Sequence, residues 1–133
     1  KSQRDDLLSM ETGILNNKGR VHFTLTQPIN DQLAALDKDM EKNELVAAIA
    51  SIIDKEIYKH YRFYPCNYVA YDMLTGTKRF SGNYGPRDKK HFEEYLQGQL
   101  DKIVLPNKDE AFLRTKMLEM YTNPLKNHLA NQE

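Results

Sequence analysis

The sequence predicts a mainly α fold with a minor β element, an α+β class with about six helices and one clear strand at residues 20–26. Apolar residues recur at helical spacing over most of the chain, and one heptapeptide alternates apolar and polar residues. Glycine and proline residues separate these segments. Because 133 residues can enclose a hydrophobic core, we expect residues 1–133 to form a single domain.

The first element is a helix over residues 2–16, followed by a turn at 16–19. Ser2 can cap this helix, and Asp5 and Asp6 favour its positive end. Its apolar face would consist of Leu7, Leu8, Met10, Ile14 and Leu15.

The strand is predicted by the heptapeptide RVHFTLT, which alternates in character. Val21, Phe23 and Leu25 would point one way, and His22, Thr24 and Thr26 the other. Pro28 ends the segment. Since a β-strand needs a second strand to bond to, either one of the loops contains that second strand or the pairing strands lie outside this chain.

Two helices follow, one from Asn30 or Asp31 to about Glu41 and one from Asn43 to about Tyr61. The second has an apolar stripe made of Leu45, Val46, Ile49, Ile52, Ile53, Ile57 and Tyr61. Pro65 interrupts the chain, and a short helix is predicted over residues 67–74.

Residues 75–86 form a glycine-rich loop in this prediction, which could hold a two-stranded turn around Ser81, Gly82 and Asn83. A helix is predicted from Pro86 to about Val104 and another over residues 109–121. Asn123 and Pro124 would then begin a last short helical turn.

Composition excludes several classes of function. Nineteen basic and nineteen acidic side chains give a formal net charge of zero, which argues against nucleic-acid binding. The longest apolar run, residues 45–53, is too short to cross a bilayer. With Cys66 as its one cysteine, the chain has no internal disulfide, and we expect a reducing, cytoplasmic setting.

The sequence predicts neither a metal site nor a cofactor. Its histidines, His22, His60, His91 and His128, are far apart and form no pair at metal-ligand spacing. Cys66 could act as a nucleophile with His60 as its base, but we favour a small apolar residue packed beside Pro65. No phosphate-cradling loop and no nucleophile elbow occurs.

Five tyrosines and Phe63 lie close together in residues 58–74. We interpret them mainly as amphipathic core residues whose hydroxyls bond at the edge of the fold. Asn67 and Asp72 would then satisfy backbone groups at turns and helix ends, or Asp72 would meet Arg62, His60 or Lys78.

Two stretches, GRVHFTLTQPI and IASIIDKEIYKHYRFYPCNYVAYDML, together resemble the glycerophosphate and lysophosphatidate acyltransferase family in its bacterial branch. The resemblance covers residues 5–74. Its matching positions in the second stretch are Ile53, Asp54, Ile57, Tyr61, Pro65, Asn67, Ala70 and Tyr71.

The resemblance implies a membrane-associated enzyme that transfers an acyl chain to a glycerophospholipid-type hydroxyl. Its His-x-x-x-x-Asp motif is missing, since Gln27, Pro65, Leu96 and Glu133 stand five positions after the four histidines. The Glu-Gly-Thr-Arg motif is missing too. No catalytic residue can be carried over, so we expect an inactive C-terminal fragment of a longer chain.

In that interpretation the partners are the rest of the parent acyltransferase domain, a membrane surface through exposed tyrosines and Arg62, and a second copy paired through residues 20–26. The candidate substrate-binding residues are His60, Arg62, Tyr64, Asn67, Tyr71 and Asp72. The alternative hypothesis is a stand-alone helical interaction domain that holds a partner protein on the stripe of residues 45–61.

Overall fold

A computed structural model describes residues 2–16 and 19–132. In these ranges all regular secondary structure is helical, so the chain is all-α. The elements in chain order are α1 (Gln3–Leu15), α2 (Asn30–Ala34), α3 (Lys42–His60), α4 (Pro65–Thr75), a 3-10 turn (Ser81–Asn83), α5 (Pro86–Asp101) and α6 (Glu110–Ala130).

The predicted strand at 20–26 is wrong, and with it the α+β class. Residues 19–29 have no regular secondary structure, and their alternating apolar side chains, Val21, Phe23 and Leu25, are 64%, 89% and 99% exposed. A strand exists only where a second strand bonds to its backbone. No part of the described chain provides one, because the 75–86 loop forms a 3-10 turn instead of a hairpin.

The N-terminal helix is confirmed, including its cap. The Ser2 hydroxyl accepts a hydrogen bond from the Asp5 N–H, and the Asp5 carboxylate accepts one from the Ser2 N–H. These two bonds lower the pKa of Asp5. Helix α2 ends earlier than predicted, near a turn in which the carboxylate of Asp37 accepts the N–H of Asp39.

Two prolines behave differently from the prediction. Pro65 begins α4 instead of interrupting the chain, because the first turn of a helix needs no N–H donor there. Helix α6 continues through Pro124, where a new turn was expected. The side-chain amide of Asn67 donates a 2.8 Å hydrogen bond to the carbonyl of Tyr121, in the turn that Pro124 disturbs.

The hydrophobic core lies where α4 packs against α5 and α6. Its buried apolar residues are Val69, Ala70, Phe92, Leu96, Leu100, Leu118 and Leu125. Helices α1, α2 and α3 contribute no buried residue. The described chain therefore consists of a packed C-terminal unit and an N-terminal arm that leaves apolar surface open.

Candidate functional site

One edge of α3 carries a line of exposed apolar residues, which we call the α3 ridge. It consists of Val46, Ala50, Ile53, Ile57 and Tyr61. Val46, Ile53 and Ile57 are 60%, 42% and 49% exposed. Positions spaced by four, three, four and four residues align along one edge of a helix. The other apolar residues of the predicted stripe are half-buried, so the stripe has one covered side and one open side.

A depression of about 450 Å³ lies between residues 20–26 and the C-terminal end of α3, and we call it the α3 depression. Its lining residues come from two segments of the chain, Arg20, Val21, His22, Thr24 and Thr26 from the first, and Glu56, Ile57, His60, Tyr61, Arg62 and Tyr64 from the second. Ile57 and Tyr61 belong to both features. The α3 ridge therefore runs directly into the α3 depression.

The α3 depression has a basic character. Arg20 and Arg62 are exposed, and neither forms an ion pair with any described residue. The guanidinium of Arg62 lies 6.0 Å from the centre of the Tyr64 ring. The carboxylate of Glu56 lies 3.5 Å from Nδ1 of His60. Glu56 therefore faces the imidazole and pairs with neither arginine, and two arginines and one glutamate give the lining a formal charge of +1 when His22 and His60 are neutral.

Contacts with α6 hold this end of α3 in place. Nδ1 of His128 lies 2.6 Å from the carbonyl oxygen of Tyr58. Because a carbonyl only accepts, Nδ1 carries the proton. The His128 ring also meets the Phe63 ring edge-on, with centroids 5.0 Å apart. Asn131 donates to the carbonyl of Lys55 at 3.4 Å. The α3 depression is thus attached to the packed unit through the last two turns of α3.

Of the six predicted substrate-binding residues, His60, Arg62 and Tyr64 line the α3 depression together. The other three, Asn67, Tyr71 and Asp72, lie outside it on α4. Asn67 and Asp72 are only 5% and 4% exposed. The structure therefore brings together one half of the predicted set.

The polar atoms of Asp72 bond within the chain. Its carboxylate accepts hydrogen bonds from the Phe80 N–H at 3.1 Å, the Tyr84 hydroxyl at 2.9 Å and the Thr77 hydroxyl at 3.2 Å. The side-chain amide oxygen of Asn67 accepts a 2.9 Å hydrogen bond from the Tyr64 N–H. These bonds confirm that Asn67 and Asp72 satisfy backbone groups.

The alternative partners proposed for Asp72, namely Arg62, His60 and Lys78, make no hydrogen bond to its carboxylate within the described chain. A second open depression, about 470 Å³ in volume, borders this carboxylate. Its other lining residues are Met73, Gly76, Thr77, Lys78, Ser81, Tyr84, Gly85, Pro86 and Lys89. Because the carboxylate already has three donors, it organises the loop that forms this surface.

Tyr71 belongs to a cluster on the outer side of α4. Its hydroxyl accepts a 3.3 Å hydrogen bond from Arg79. The same guanidinium lies 5.3 Å from the centre of the Phe80 ring, and the two rings meet edge-on at 5.0 Å. This cluster fixes the start of the loop after α4.

Cys66 does not have the surroundings of a nucleophile. Burial raises the pKa of its thiol, so the neutral form is favoured. Its sulfur lies 4.0 Å from the amide oxygen of Asn67. Nδ1 of His60 instead lies 3.0 Å from the carbonyl oxygen of Glu56. No hydrogen bond joins Cys66 to His60 within the described chain, so this geometry does not support the nucleophile hypothesis.

Across residues 2–16 and 19–132, no group of three or more His, Cys, Asp and Glu side chains is arranged to hold a metal ion. In the same ranges, no helix combines the length and the apolar character that crossing a membrane requires.

Sequence reasoning missed the lining residues Arg20, Val21, His22, Thr24 and Thr26. They were assigned to a strand, with the last three on its polar side. The alternation did indicate a segment with two different sides. The sequence held no signal for the helix beside which this segment would lie, because that contact joins residues about 40 positions apart.

Comparisons with models of protein families, with curated proteins and with solved structures gave no match to this chain.

Proposed function

We propose that this chain is a helical protein-interaction module, and that a partner protein binds along the α3 ridge. The observation that carries the proposal is the alignment of exposed apolar residues at positions 46, 50, 53, 57 and 61. Single exposed apolar residues are common on monomeric proteins, whereas contiguous apolar surface is typical of binding sites.

The free energy gained by burying apolar side chains favours a partner that covers the whole α3 ridge. Fully burying a Val or Ile side chain contributes about 1.5–3 kcal/mol, so covering the open half of each contributes about 1 kcal/mol. Three such side chains, with Tyr61 in addition, are too few for a long-lived complex on their own. We therefore infer a binding surface that includes both the α3 ridge and the adjoining α3 depression.

The experiment is site-specific photo-crosslinking in cells of the organism that encodes the chain. A photoreactive residue at Ile53 should give a discrete crosslinked product. The same residue at Val104 is the matched control, because that side chain is apolar and 90% exposed but lies after α5. The Ile57→Asp substitution should remove the product formed at position 53. Equal products from both positions would contradict the proposal.

A second candidate is the C-terminal region of an acyltransferase, as the resemblance implies. The observation that favours it is the exposure of Phe23 and Leu25 in residues 19–29, since the rest of a parent domain could cover these side chains. Reading the upstream part of the open reading frame tests this candidate. A frame without His-x-x-x-x-Asp excludes it and leaves the interaction module unaffected.

A further inference from the structure

We propose that the α3 depression binds an acidic segment of the partner protein, anchored by at least one apolar side chain. This inference rests on the proposed function and names the chemistry of the partner. The site is formed by two parts of the chain that are distant in sequence, residues 20–26 and the end of α3.

The apolar requirement follows from the lining of the α3 depression. Val21, Ile57 and Tyr61 are 64%, 49% and 43% exposed there. A volume of about 450 Å³ lies within the range of ligand-binding pockets. An apolar side chain of the partner can therefore enter and remove these surfaces from water.

The acidic requirement follows from the charges. Arg20 and Arg62 both line the α3 depression and come from its two separate chain segments, and neither has a carboxylate partner in the described chain. Arginine stays charged at any physiological pH and forms bidentate hydrogen bonds with carboxylates. The side chain of Glu56 is 19% exposed and lies beside His60, and it forms no ion pair with Arg20 or Arg62.

A protein segment fits these charges better than a membrane or a nucleic acid. Binding to anionic lipid surfaces through charge alone requires clusters of about four to eight Lys and Arg residues. The α3 depression has two arginines, and the chain as a whole has a formal net charge of zero. Nucleic acids likewise require an extended positive field.

The test begins with a phage-displayed library of random peptides, selected on the immobilised full chain. We expect the enriched peptides to combine an excess of Asp and Glu with Leu, Ile or Phe. Their affinities are then measured by fluorescence anisotropy. The double variant Arg20→Glu with Arg62→Glu should weaken binding about tenfold. Its matched control is Arg87→Glu with Lys126→Glu, which changes the net charge equally at exposed positions on α5 and α6.

The inference would be overturned by no enrichment, by enrichment without acidic residues, or by equal weakening of binding in both double variants. Vesicles containing phosphatidylserine that bind as tightly as the peptides would also overturn it. The photo-crosslinking at Ile53 separates this inference from the proposed function. A product at Ile53 with non-acidic selected peptides keeps the interaction module and rejects the acidic partner, whereas loss of the Ile53 product rejects both.

Discussion

The side-chain amide of Asn67 connects two helices, since its nitrogen donates to the carbonyl of Tyr121, 54 positions later in the chain. The amide oxygen accepts the N–H of Tyr64, the residue just before α4. One buried side chain thus satisfies a backbone N–H at the start of α4 and a backbone carbonyl in the turn of α6 that contains Pro124.

We expect Asn67→Ala to lower the free energy of unfolding by about 2–4 kcal/mol, because two backbone groups lose their partner in a buried place. Urea denaturation followed by circular dichroism measures this change. Asn123→Ala, at an exposed position of α6, is the control and should stay within about 0.5 kcal/mol of wild type. Similar losses for both variants would show that the Asn67 bonds contribute little.

Replacing Asp72 by Ala should release the loop after α4. The Phe80 N–H and the Tyr84 hydroxyl would lose their acceptor, and we expect a loss of stability of about 2–4 kcal/mol. Hydrogen exchange at the Phe80 amide should accelerate more than exchange in α6. Glu94→Ala removes an exposed carboxylate from α5 and should leave the Phe80 amide unchanged.

Alkaline pH should destabilise the fold through Tyr121. Its burial and its hydrogen bond to the Tyr95 hydroxyl raise its pKa. The folded state holds the proton of the Tyr121 hydroxyl more tightly than the unfolded state does. The stabilisation that this protonated hydroxyl gives the folded state is therefore complete below about pH 10 and is lost as the pH rises above that value.

In this pH range Tyr121→Phe should lose stability less steeply than wild type. Thermal unfolding at several pH values above and below 10 measures the two slopes. Tyr61→Phe serves as the control, since the Tyr61 hydroxyl has no hydrogen-bond partner within the described chain. Identical slopes for wild type and Tyr121→Phe would contradict this prediction.

Cys66 should react slowly in the folded protein. Burial raises the pKa of the thiol, so the reactive thiolate is scarce near neutral pH. We expect iodoacetamide to modify the native chain more slowly than the chain in denaturing urea, with the two rates compared by mass spectrometry. If iodoacetamide modified Cys66 as fast in the native chain as in the denatured chain, the result would contradict this prediction and favour the nucleophile hypothesis.

Loss of the His128 side chain should loosen α3 while the core stays intact. His128→Ala removes the 2.6 Å contact with the carbonyl of Tyr58 and the ring contact with Phe63. Amides in the last turns of α3 should then exchange faster, whereas those of Leu96 and Leu118 should keep their protection. Accelerated exchange throughout α5 and α6 would instead mean that His128 supports the whole fold.

Most helices were predictable from the sequence, because apolar spacing and capping residues act locally. The Ser2 cap and the stripe of α3 are examples. The strand prediction was wrong because strand formation depends on residues distant in sequence. The alternation at 20–26 is compatible with a β-sheet, but a strand also needs a second strand to bond to, and the described chain does not provide one.

The candidate site was predictable in part for the same reason. His60, Arg62 and Tyr64 follow one another closely and could be grouped from the sequence. The position of Arg20 beside them depends on how residues 20–26 return to α3. Asn67 and Asp72 were also among the candidate residues, although their polar side-chain atoms form hydrogen bonds within the chain.

Among the described residues, the hydrogen bonds between α3 and α6 lie within the last two turns of α3, at Lys55 and Tyr58. The N-terminal end of α3, at Lys42, lies about 20 Å along the helix from these bonds. A tilt of α3 by about 10° about them would displace that end by about 3.5 Å. A partner that contacts both ends of α3 would therefore restrain the orientation of α3 relative to α6.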